Sequence, residues 1–267
     1  MTGIEITPLQ VGAALVLVAI AIAISRWRGA GLESEIAVAV IRSAIQLTAI
    51  GYVIQLIFDD GGLFWVFLLL AVSVGFGTVT ARARASSVPA AGWPIAIALT
   101  VAAGSTLGLV IALGIFDPEA RYLVPVGGMV IGNAMTATAV ALNRLGDEMR
   151  GGAPLIEATL ALGATAQQAA LPNLRRSLRS GTITLIDSTK TTGLIFFPGA
   201  MVGMLLAGAE PVDAVRLQLI LLWVLLGAAA IAALIATSLA YRTFFTAAPP
   251  LREPPPGEEA GERRHPL

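Results

Sequence analysis

The sequence predicts an all-α, polytopic transmembrane bundle of about seven helices, with the N-terminus outside and the C-terminus in the cytoplasm. Composition predicts the class. Of 267 residues, 56% are hydrophobic and 13% charged, with a mean hydropathy of +0.82, whereas a soluble domain is about a quarter charged. One water-soluble core cannot hide that much apolar surface. Long apolar segments predict the spans, and arginines that follow alternate segments predict the orientation.

A helix needs roughly 20 apolar residues to cross the hydrocarbon core. Segments that meet or approach this run from 8 to 25, 36 to 57, 63 to 80, 94 to 116, 123 to 143, 182 to 206 and 216 to 241. The first follows MTGIEITPLQ, which has an acid and no base, unlike the positive start of a secretory signal, so it reads as a retained helix. The fourth follows Trp93 and Pro94, a pair suited to an interfacial helix start. The sixth contains Pro198, which lacks a backbone donor and should kink or break it.

Arg26 and Arg28 follow the first segment, Arg82 and Arg84 the third, Arg144 and Arg150 the fifth, and Arg242 the seventh. The alternate connections are acidic or nearly neutral: Asp59-Asp60-Gly61-Gly62, Asp117-Pro118-Glu119-Ala120-Arg121 and Glu210-Pro211-Val212-Asp213. Basic loops stay in the cytoplasm. Residues 1–246 therefore form the membrane domain, 145–181 a cytoplasmic loop within it, and 247–267 a disordered cytoplasmic tail rich in proline, glutamate and arginine.

Much chemistry is excluded. The chain has no cysteine, and its one histidine, His265, lies in the tail, which removes disulfides, thiolate nucleophiles, imidazole bases and the usual zinc sets. The spans hold no pair of aspartates that could share a proton. No Gly-x-x-x-x-Gly-Lys-Ser/Thr loop is present to cradle nucleotide phosphates. Net charge is zero, so no basic field attracts nucleic acid. Nothing points to a catalytic site or a cofactor.

Three groups of residues remain. In the loop, Pro154 suits a helix start, Glu157 places a negative charge near the positive end of that helix, and Gly163 permits a sharp change of direction. A short helix, a bend and a second helix are expected, followed by Arg175, Arg176 and Arg179. An amphipathic helix lying on the bilayer is the alternative, and the segment alone leaves both readings open.

Within the spans, Arg42 and Gln46 are four apart, Asn133 and Met135 sit in Gly132-Asn133-Ala134-Met135-Thr136, and Asp187 and Lys190 are three apart in Asp187-Ser188-Thr189-Lys190-Thr191-Thr192. A charge at the membrane centre costs about 2.5–3.5 kcal/mol on insertion scales, so these groups should face protein, water or the interface. Arg42 can snorkel. Asp187 and Lys190 can neutralise one another across a helical turn or line a transport path. The third group is Phe197-Pro198-Gly199-Ala200-Met201-Val202-Gly203-Met204. Gly199 and Gly203, Gly128 and Gly132, and Gly104 and Gly108 each form a small face that lets another helix approach.

The loop resembles the coupling segment of ABC-transporter permeases, with Glu157-Ala158 and Gly163-Ala164 keeping its spacing and Thr159 replacing its third residue. Across residues 36–222 the chain resembles the iron-export ABC permease family, FetB-like proteins with plant relatives linked to aluminium tolerance. The likeness is carried by Arg42-Ser43-Ala44-Ile45-Gln46-Leu47, Val126-Gly127-Gly128-Met129-Val130-Ile131-Gly132-Asn133-Ala134-Met135-Thr136, Leu160-Ala161-Leu162-Gly163-Ala164-Thr165, Ile186-Asp187-Ser188-Thr189-Lys190 and Pro198-Gly199-Ala200-Met201-Val202-Gly203. The chain departs at Phe196-Phe197, where Ser-Leu is expected, and at Gly181, where a proline is common, at the expected start of the sixth span.

The resemblance implies a permease subunit of the cell membrane that exports iron, another metal or its complex. It further implies a permease homodimer and a separate ATP-binding subunit that would dock at Glu157, Ala158, Gly163 and Ala164. Arg42, Gln46, Asn133, Met135, Asp187, Lys190, Pro198 and Met201 are candidates for the path. As metal donors the spans offer Asp187, with Asn133, Met129, Met135, Met201 and Met204 as weaker possibilities, and the residues do not choose among free ion, chelate and organic solute. An ion-coupled secondary transporter using Asp187 and a non-transport scaffold are the alternatives.

Overall fold

The computed structural model describes residues 7–60, 62–195 and 197–245, and the expected tail at 247–267 lies outside them. Among the described residues, six helices are long and apolar enough to cross a membrane. The chain divides into two compact units, residues 1–61 and 62–267.

The first unit is a helical hairpin of α1 (Pro8–Arg28) and α2 (Glu33–Asp60). Its turn is fixed by Ser25, which is 6% exposed. The Ser25 hydroxyl donates to Glu33 Oε1 at 2.9 Å and accepts from the Leu32 N–H at 3.1 Å. Arg26 and Arg28 fill the last turn of α1.

The second unit holds α3 (Leu63–Arg84), α4 (Gly92–Ala112), α5 (Ala120–Gly151), α6 (Ala153–Ala161), α7 (Ala166–Thr191), α8 (Gly199–Leu206) and α9 (Pro211–Ala240), closed by a 3₁₀ turn at Tyr241–Phe244. Helix α5 is central and packs against α3, α4, α7 and α9. Close approaches give the register. Gly127 lies against Leu70 and Leu107, and Gly77 against Leu99 and Ile131, so α3 runs along α5 and α4 runs against it. Gly181 lies against Ala137 and Ala141, and Gly152 against Asn173, so α7 also runs back along α5. The last turns of α9, with Ala236, Ala240 and Phe244, join Ala85, Val88 and Ile95 in one core cluster. Arg82, Arg84, Arg144, Arg150, Arg175, Arg176, Arg179 and Arg242 therefore gather at one end of the unit.

Lipid tails are as apolar as leucine, so membrane helices associate through close packing of small residues rather than by escaping water. The core follows this rule. Ala228, Ala229, Ala232, Ala233, Ala236 and Ala240 make an alanine stripe on α9 with no exposed surface, and α9 uses it against α4 and α5.

The region expected as a loop and a sixth span is built differently. Residues 145–181 are almost wholly helical, comprising the end of α5, α6 and the first part of α7. The expected short helix and bend are present. However, the second helix runs without interruption to Thr191, so Gly181 lies mid-helix, and 182–206 is divided between α7 and α8. The physical reason is amphipathicity. Helix α7 buries Ala169, Ala170, Asn173, Leu174, Ser177 and Gly181, a stripe at helical spacing that is too polar and too small to raise mean hydropathy.

Candidate functional site

Helix α6 begins with Ala153 and Pro154, and Ile156, 2% exposed, anchors it. Leu155 and Leu162 are 69% and 90% exposed, and Glu157 and Ala158 are exposed beside them. The helix ends at Gly163, whose φ of +90° is left-handed. The Gly163 N–H donates to Leu160 O at 2.9 Å and the Ala164 N–H to Thr159 O at 3.2 Å, the pair of bonds that closes a helix through a left-handed residue. Thr165 then caps α7. Its hydroxyl accepts from the Gln168 N–H at 3.3 Å, and Gln168 Oε1 accepts from the Thr165 N–H at 2.9 Å, satisfying two otherwise orphaned donors. Helix α6 and the capped turn that ends it thus hold two large apolar side chains, a carboxylate and Ala158 outward.

From this tip, α7 runs as one helix to Asp187 and Lys190, a distance of about 32 Å at 1.5 Å per residue. Lys190 Nζ lies 3.2 Å from Asp187 Oδ1, with both side chains more than half exposed in the single chain. The hydroxyls around them turn inward. Ser188 donates to Thr184 O, Thr189 to Leu185 O, Thr191 to Asp187 O and Thr192 to Ser188 O. Each proton is thereby used on the helix itself, leaving oxygen lone pairs as the free polar groups. The helix stops where Thr192 turns extended and Gly193 takes a φ of +85°, and Pro198 caps α8 beyond the break.

Register brings two sequence-predicted residues to one level. Gly181 lies against Ala137 and Ala141, and six residues further along α7, about 9 Å, Asp187 reaches the level of Asn133. The Asn133 amide donates to Met129 O at 2.9 Å, so its carbonyl oxygen is free to accept. Met135 is placed elsewhere, half-buried against the core that contains Leu99 and Ala134. Pro198 and Met201 lie beyond the break, the first capping and the second within an α8 that packs against α9. Arg42 and Gln46 belong to the first unit, exposed on α2 beside Val38, Ile41 and Ile45. Among the described residues, no three His, Cys, Asp or Glu side chains form a metal-sized group.

The sequence reading missed a polar network beside the tip. Arg144 Nη2 and Arg176 Nε lie 2.6 and 2.9 Å from the two oxygens of Glu148, whose side chain is 13% exposed. Arg176 Nη2 also donates to Asn173 Oδ1 at 2.7 Å. Arg144 and Glu148 share a helical face four residues apart, which the sequence does signal, but Arg176 and Asn173 join only through the fold.

The sequence profile of the Uncharacterised protein family (UPF0014) matches residues 8–245. "Protein ALUMINUM SENSITIVE 3" of Arabidopsis thaliana is 38% identical over 236 residues, which are 88% of this chain and 86% of that protein. "UPF0014 membrane protein STAR2" of Oryza sativa subsp. japonica is 38% identical over 218 residues, 82% and 76% of the two chains. "Probable iron export permease protein FetB" of Escherichia coli is 36% identical over 248 residues, covering 92% and 95%. No solved structure matches.

Proposed function

The chain belongs to the UPF0014 family of multi-pass membrane proteins, and from that premise we propose that it is the membrane-spanning permease subunit of an ABC exporter. A separate ATP-binding subunit drives it, and two copies of the chain form the permease. The cargo is iron or another metal, alone or complexed, the class in the name of the Escherichia coli relative.

The observation that carries this reading is the capped tip at Gly163. Leu155 on α6 and Leu162 at its C-cap stand in the open beside a turn closed by its own hydrogen bonds. Large apolar side chains held outward beside a closed turn suit insertion into a groove of a protein partner, where aliphatic anchors supply affinity and Glu157 supplies orientation. Nucleotide-dependent movement of that partner displaces the tip, and α7 carries the displacement to Asp187 and the break that begins at Thr192. There the carboxylate, the hydroxyl oxygens and the Asn133 carbonyl offer a hard-oxygen surface suited to a cation.

The test compares wild type, Gly163→Val and Glu157→Arg at matched expression, for copurification of an ATP-binding protein and for iron(II)-stimulated ATP hydrolysis. Valine at a left-handed φ is strained by about 1–3 kcal/mol, so Gly163→Val reshapes the tip while the bundle inserts normally. Both variants are expected to lose ATPase retention and stimulated hydrolysis. Retention of both activities in both variants removes the docking role.

A further inference from the structure

We propose that Glu148 is a positioning residue that clamps the α6–α7 tip to the body of the bundle, so that the tip and α7 move as one piece. Its consequence for transport rests on the coupling reading above, while its geometry does not.

Glu148 sits in the last turn of α5, where the helix dipole is negative and an acid is unfavourable. Such an acid persists when cations hold it, and here two do. Arg144 reaches it from one turn earlier and Arg176 from α7. The Arg176 guanidinium works as a fork, with Nε on Glu148 and Nη2 on Asn173 Oδ1. Asn173 is 4% exposed, and its amide nitrogen lies 3.9 Å from Met149 Sδ on α5.

The clamp closes over a hinge. Gly152 is the one residue between α5 and α6, and a Cβ there would stand 3.1 Å from Asn173 Nδ2 and 2.8 Å from Glu148 O. A force on α6 can therefore do one of two things. It can swing the tip at Gly152, which dissipates the motion, or, with α7 held to α5 by the Glu148–Arg176–Asn173 contacts, it can carry the tip and α7 together with the end of α5. Arg144 and Arg176 are half-exposed, so the ion pairs themselves add little stability. Their value is directional, because a guanidinium fork fixes angle as well as distance.

The absence of cysteine makes the full-length chain ready for paired spin labels. Labels at Leu162→Cys and Ser86→Cys report the tip against the α3–α4 turn. The distance distribution is expected to be narrow with Glu148 and Arg176 intact and to broaden in Glu148→Gln and in Arg176→Lys, since lysine keeps the charge but lacks the fork. In unlabelled proteoliposomes, both variants should retain the copurifying ATPase at wild-type amounts, while iron(II) moved per ATP hydrolysed falls severalfold. Should Glu148→Gln fail to fold, Arg176→Lys carries the test. A distribution that stays narrow in Arg176→Lys overturns the clamp, and broadening with unchanged iron(II) per ATP overturns its part in transport. If wild type retains no ATPase, the coupling reading fails, and the label distances alone decide whether the clamp exists.

Discussion

At Gly181 there is no room for a methyl group. A Cβ there would stand 2.7 Å from Ala137 O and 2.7 Å from Ala141 Cβ, both fixed parts of α5. Gly181→Ala must push α7 away from α5, at about 1–3 kcal/mol for such overpacking. Gly104, by contrast, has nothing within 4 Å of that position, and alanine improves helix propensity by up to about 1 kcal/mol. Thermal unfolding in detergent should show a lower Tm for Gly181→Ala and an unchanged or higher one for Gly104→Ala; equal losses would mean that α5 and α7 are not in this contact. The sequence marks Gly104, Gly108, Gly128, Gly132, Gly199 and Gly203 by their spacing, yet among the described residues nothing lies within 4 Å of a Cβ placed at any of them. The glycines that allow close approach are Gly77, Gly127, Gly146, Gly152 and Gly181. Spacing reveals that a face is smooth. It does not reveal whether another helix lies on it.

Among the elements, α7 joins what the sequence separates. Its first half is amphipathic and packs on α5 through small and polar residues, while its second half carries the polar run that ends at Thr191. A hydropathy reading places a boundary between the halves because only the second is apolar enough to count as membrane. The expected pairing of Asp187 with Lys190 is present at 3.2 Å, and the element's geometry frames its test. If the pair only neutralises charge, apolar replacement of both members should be tolerated, as paired charges can be exchanged for packing. If Asp187 meets the cargo at the end of the lever, Asp187→Ala lowers transport more than folded yield, and adding Lys190→Ala does not restore it. We expect the second result, measured as iron(II) efflux at matched membrane expression. Full efflux from the double variant would leave the pair a structural role alone.

For the whole molecule, the second unit gathers eight arginines at one end because α3, α5 and α9 run together and α4 and α7 run back, while Arg121 and Arg216, at the starts of α5 and α9, lie at the other end beside Glu119 and Asp213. Under the positive-inside rule that end is expected in the cytoplasm for the eight. The ten residues of α7 beyond Gly181, the break and α8 have enough length to return the chain to the opposite side, since ten helical residues rise about 15 Å and α8 about 12 Å. Reporters near Asp117 and Gly208 should therefore be external and one after Arg242 cytoplasmic. A cytoplasmic signal at Asp117 reverses the orientation, and one at Gly208 means that α7, the break and α8 do not cross. By itself the sequence determined that this is a helical membrane protein, where most spans lie, and that a bend falls at Gly163, because apolar length, arginine placement and glycine chemistry are local properties. Only the tertiary structure decided that the loop continues into one unbroken α7, which glycines are contacts, and that Glu148 meets Arg176 and Asn173. Those facts depend on residues far apart in the chain, and no local pattern records which distant side chain will fill the space beside them.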